Sequence, residues 1–75
     1  MIEDKFALVF PLLKEDERRV LIALKDSNGE MLQNQLVLRL DLSKVKVTRL
    51  LHSMEQKNLI VKDRNGLTNN IKLVR

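Results

Sequence analysis

The sequence predicts a mainly α fold closed by a small β-hairpin, and three observations carry that reading. Apolar residues recur three and four apart in three separate stretches, each bounded by capping or helix-breaking residues. The last third of the chain changes character, with two short β-prone runs around "RNG", where Asn65-Gly66 is a strong short-range hairpin signal. The chain has 75 residues and no cysteine, which leaves room for one small domain and removes disulfides, thiolate metal sites and thiol redox chemistry together.

Residues 1–13, "MIEDKFALVFPLL", form an apolar N-terminal segment ahead of a domain spanning 14–75. Ile2, Phe6, Val9, Phe10 and Leu13 recur in it at helical spacing and exceed what a three-helix core needs. They are expected to pair two copies as a homodimer; the alternatives are that they fold back as a fourth core element or meet a part of the protein outside this sequence. "KEDERRVLIALKDSNG" then reads as the first helix: Glu15, Asp16 and Glu17 suit its dipole, Val20, Leu21 and Leu24 share a stripe, and Asn28-Gly29 stop it. After a short extended stretch at Glu30 and Met31, "QNQLVLRL" reads as a second helix burying Leu36 and Leu40, with a tight break at Asp41 and Leu42. Leu38 falls on what should be the polar face of that helix, and Ile22 is similarly placed on the first.

Ser43 is positioned to cap a third helix, expected over 43–57, in which Val47, Leu51 and Met54 share a stripe with Leu50 at its edge. Val45, Arg49 and His52 lie on the opposite face, flanked by Lys46 and Thr48. Lys44, Lys46 and Arg49 crowd the start of this helix, where positive charge opposes the macrodipole; an external anion would account for them. Charge is segregated along the chain as well. Residues 1–42 carry six Lys and Arg against eight Asp and Glu, residues 43–75 eight against two, as expected of a face for a polyanion.

Helix, short strand, helix, tight turn, helix and hairpin is the order of a winged helix-turn-helix: a three-helix core plus a C-terminal wing, here over 60–74. The stretch "MLQNQLVLRLDLSKVKVTRLLHSMEQKNLIVKDRNGLTNNIKL" resembles the DNA-binding segment of the multiple antibiotic resistance regulator (MarR) superfamily, and most of all compact winged-helix domains of archaeal regulators. The resemblance rests on the leucine before the capping serine, "SKVKVTRLL", the "LI" that opens the hairpin, and "NNIKL" returning from it. Asp41 and Asn58 stand where such proteins commonly have Gly, and both tolerate positive φ better than other side chains.

The resemblance implies double-stranded DNA as partner and transcriptional regulation as role, with helix 43–57 in the major groove and the wing on backbone or minor groove. Ser43, Lys44, Lys46, Thr48 and Arg49 match positions that meet DNA, while Arg64, Asn65, Asn69 and Lys72 lie in or beside the wing. Arg can bond guanine O6 and N7 in pairs, Lys and Ser can hold phosphates, Val45 can touch a thymine methyl, and His52 can lie near phosphate. The C-terminal dimer helices of such regulators have no counterpart here, so a small-molecule effector is not expected. A winged helix that binds protein instead, as an adaptor or assembly subunit, is the alternative.

Other classes find little support. The lone histidine has no cysteine or second histidine to share a metal, the serines sit in no nucleophile motif, and there is no glycine-rich phosphate loop. No enzyme and no cofactor are expected. RNA recognition would call for stacking aromatics, and the only two, Phe6 and Phe10, lie in the N-terminal segment. The longest apolar run, "FALVFPLL", is too short to span a bilayer, and no basic leader precedes it. No membrane insertion and a cytoplasmic location are therefore expected.

Overall fold

A computed structural model describes residues 8–74. The first helix, α1 (Glu15–Asp26), starts where Glu17 reaches back to accept from the Lys14 backbone N–H at 3.0 Å. It ends at Asn28 and Gly29, both at positive φ, with the Gly29 N–H donating to the Leu24 carbonyl. Strand β1 (Glu30–Leu32) leads directly into α2 (Gln33–Leu40), and Asp41 closes that helix in the left-handed conformation at φ 56°. Ser43 then caps α3 (Lys44–Gln56), its Oγ accepting from the Lys46 N–H at 3.1 Å. Asn58, at φ 60°, turns the chain out of α3 toward the hairpin of β2 (Ile60–Asn65) and β3 (Thr68–Leu73).

The architecture is three helices plus a small antiparallel sheet, a winged-helix-like fold. The short extended stretch at Glu30 and Met31 becomes a third strand, because β1 pairs with β3 and gives the order β1-β3-β2. The hairpin turn sits one residue later than the Asn65-Gly66 signal suggests. Asn65 pairs with Thr68 as the last rung, leaving Gly66 and Leu67 as the turn residues. Only the first of these has positive φ, at 65°, the geometry of a turn with glycine at its first central position. Open space surrounds Gly66, so its backbone conformation and not crowding calls for glycine.

Val20, Leu21, Ala23 and Leu24 of α1 meet Leu36 and Leu40 of α2 and Val47, Leu51 and Met54 of α3, with Leu59, Ile60 and Ile71 closing the core from the wing side. Each fully buried Leu or Ile in this set contributes about 2 kcal/mol relative to exposure. Leu38 and Ile22 are exposed, as the helical phase requires.

The described part of the N-terminal segment folds in part onto its own domain. Phe10–Leu12 form a single 3-10 turn, Leu13 is buried in the domain's own core, and Val9 and Phe10 pack against it. Arg18 clamps the turn to α1: its Nε donates to the Phe10 carbonyl at 3.0 Å, its Nη2 to the Pro11 carbonyl at 2.9 Å, and its guanidinium lies 5.6 Å from the Phe10 ring centre. Leu13 is therefore not a surface through which two copies can meet, and Val9 and Phe10 are largely committed to their own domain. Ile2 and Phe6 lie outside the described residues.

Candidate nucleic-acid interface

Helix α3 is fastened along two edges, and the face between them is open. Along the edge toward α1, Lys46 Nζ lies 3.1 Å from Asp16 Oδ2, while Ser53 Oγ and Lys57 Nζ both donate to the Glu17 carboxylate at about 3 Å. Along the edge toward the wing, Thr48 Oγ1 accepts from Gln33 Nε2 at 3.2 Å, and Glu55 pairs with Lys62 of β2 at 3.5 Å. Val45, Arg49 and His52 occupy the strip between, all exposed, with Val45 at 63%. A groove of about 400 Å³ runs beside this strip, lined by Lys14, Val45, Lys46, Arg49 and Ser53 among others.

The electrostatics divide the basic residues into two groups. Lys46, Lys62 and Lys72 each have a carboxylate within 4 Å. Lys44, Arg49 and Arg64 are exposed and form no ion pair among the described residues. An unpaired cation has no internal partner to give up before meeting an anion; a paired one must exchange partners.

Glu17 is the most buried charged residue among the described residues, 1% exposed, and lies three and four residues before Val20 and Leu21 on the core stripe of α1. Burial pushes its carboxyl up. The Lys57 hydrogen bond, those from the Lys14 N–H and Ser53, and the Lys57 charge outweigh that, and the net result lies below the ordinary carboxylate value. Glu17 thus serves as an internal anchor as well as a dipole partner. Gln33, to which the sequence pattern assigns no role, stands three residues before Leu36 and so falls on the buried face of α2; it is 8% exposed. Its Oε1 accepts from Asn69 Nδ2 at 2.9 Å.

The wing residues separate by face. Cross-strand register places Arg64 opposite Asn69 and Lys62 opposite Ile71, on the side facing the helices. Lys72 lies on the other side of the sheet, where it pairs with Asp63 at 3.3 Å, and Asn70 there donates to Glu30 at 3.1 Å. Lys72 is thus not brought together with the α3 cations, and Asn69 turns inward to Gln33. The Thr48 hydroxyl is likewise committed, donating to the Lys44 carbonyl at 2.8 Å. Ser43 Oγ accepts the capping bond from the Lys46 N–H, which does not use its own O–H. The side chain of Asn65 lies outside the described residues. At the wing tip Leu67 is fully exposed.

No group of three His, Cys, Asp or Glu side chains that could hold a metal exists among the described residues, and no helix among them is long and apolar enough to cross a membrane. No curated protein matches the sequence. One family model does, over residues 13–74, which takes in the whole helical core and the wing; the chain belongs to the family described as a domain of unknown function (DUF7343).

Proposed function

We propose that the protein binds double-stranded DNA sequence-specifically, as a transcriptional regulator, with α3 in the major groove and the wing on backbone or minor groove. The observation that carries this reading is the open face of α3: exposed Val45, Arg49 and His52 with Lys44 at the helix start, Arg49 unpaired, and no acidic residue in the first turn. A helix of 13 residues fits the width of the major groove, and a free guanidinium there can read guanine. Lys44, Lys46 and Arg64 supply phosphate contacts on either side. Two copies on adjacent half-sites would lengthen the sequence read; among the described residues of the N-terminal segment, Leu8 and Leu12 are exposed apolar side chains that could join them.

Selection of bound duplexes from a random pool tests the reading. Enrichment of a defined sequence is expected, and Arg49→Ala should then lose about 1–3 kcal/mol and relax preference at one base pair. Lys72→Ala, on the far side of the sheet, should leave affinity within about twofold. Failure to enrich any sequence contradicts the proposal. It would favour docking of a protein partner instead, for which the observation is Leu38, 81% exposed on α2.

A further inference from the structure

Three side-chain hydrogen bonds run in series from the wing to the start of α3. Asn69 Nδ2 donates to Gln33 Oε1 at 2.9 Å, Gln33 Nε2 donates to Thr48 Oγ1 at 3.2 Å, and Thr48 Oγ1 donates to the Lys44 carbonyl at 2.8 Å. The polarity is consistent throughout, because a primary amide can accept at oxygen while donating at nitrogen and a hydroxyl can do both. Apolar support for β3 weakens toward the tip: Ile71 is its buried residue, and Asn69, two positions further out on the same face, meets an amide in place of a hydrocarbon. A cleft of about 360 Å³ lies among the outer wing, α2 and the start of α3, lined by Leu67, Thr68 and Asn69, by Gln33 and by Lys44 among others.

We infer that Gln33 is a positioning residue that fixes the angle of the wing against α3, so that Arg64 and Arg49 approach a ligand as one rigid surface. The inference rests on the DNA-binding reading for its consequence, though not for its geometry. Gln33 sits at the first position of α2, which is rooted in the core through Leu36 and Leu40. Both of its amide bonds are neutral, so salt weakens them little while it screens the surrounding ion pairs. A preorganised surface binds with less loss of conformational freedom than two independently moving parts, and its two contacts therefore couple.

The test uses Gln33→Met, which keeps length and helix preference while neither donating nor accepting as the amide does, and Gln33→Glu, which keeps the acceptor for Asn69 but loses the donor to Thr48. Residual dipolar couplings measured without DNA report the orientation of residues 60–73 relative to α3. A changed or averaged hairpin orientation in Gln33→Met, with the helical core unaltered and a smaller change in Gln33→Glu, is the expected result. An unchanged orientation overturns the inference. With duplex DNA, Arg64→Ala is expected to weaken binding about tenfold in the native background and only about twofold beside Gln33→Met, while Arg49→Ala loses the same factor in both. Equal losses from Arg64→Ala in both backgrounds also overturn it. Absence of DNA binding by the native protein would defeat the functional reading alone, because the orientation measurement decides the role of Gln33 independently. If Gln33→Met fails to fold, Gln33→Glu decides by the same two readouts.

Discussion

On its α1 side, α3 is held by charge: Asp16 meets Lys46, and the buried Glu17 carboxylate gathers Lys57, Ser53 and the Lys14 N–H. On its wing side, the bonds nearest the helix start are neutral, an amide and a hydroxyl, and the ion pair of Glu55 with Lys62 comes only near the other end. The same helix is thus attached by one edge that responds to pH and ionic strength and by another that responds to neither at its working end. The difference bears on function. A polyanion settling on the open face competes with Asp16 for Lys46, whereas nothing charged competes at Gln33.

The largest expected effect falls on the charged edge. Because the Glu17 carboxyl is held below its ordinary value, its stabilisation is present in full above the unfolded-state value, near pH 4, and is lost as pH falls through the lower folded-state value. Glu17→Gln should lower stability by about 2 kcal/mol at pH 7. Denaturant unfolding at pH 7 and pH 3 checks this: the gap between native and variant protein should narrow at pH 3. An equal gap at both would mean that packing, not charge, secures this edge.

A smaller effect separates stability from binding at the same edge. Lys46 and Asp16 are both partly exposed, so Asp16→Asn should change stability by less than about 1 kcal/mol. It should nevertheless tighten duplex binding about two- to threefold, by freeing Lys46 and removing a carboxylate from beside the phosphates. Weaker binding in fluorescence titrations would show that Asp16 positions Lys46 for its ligand and does not compete for it.

The contrast between edges also explains how much was legible in the sequence. The helices were readable because Val20, Leu21 and Leu24, then Leu36 and Leu40, then Val47, Leu51 and Met54 repeat at helical spacing, and because Ser43, Asp41 and Asn58 punctuate them locally. The open strip of Val45, Arg49 and His52 follows from the same arithmetic. The edges do not, since Glu17 meets Lys57 across 40 residues and Gln33 meets Asn69 across 36. Phase alone puts Glu17 and Gln33 on buried faces; what satisfies them there is decided by tertiary packing. The face that Lys72 occupies is decided in the same way: strand alternation separates two faces, and the pairing of β3 with β2 and of Lys72 with Asp63 sets it on the side away from Ile71. The N-terminal apolar residues showed surplus hydrophobicity without an address, and the Arg18 clamp that gives Phe10 and Pro11 one comes from a helix that begins after them.

The dependence of duplex affinity on salt tests the central claim most directly. The structure offers four cations to phosphate beside the open face, Lys44, Lys46, Arg49 and Arg64, with Lys62 paired to Glu55 and Lys72 on the far side of the sheet. The slope of log affinity against log salt should then be roughly −4, a loss of about a hundredfold between about 50 and 200 mM. A slope near zero would contradict DNA binding through this face, and a slope of roughly −5.5 would require Lys62 and Lys72 to take part as well, contradicting the placement of those two residues described above.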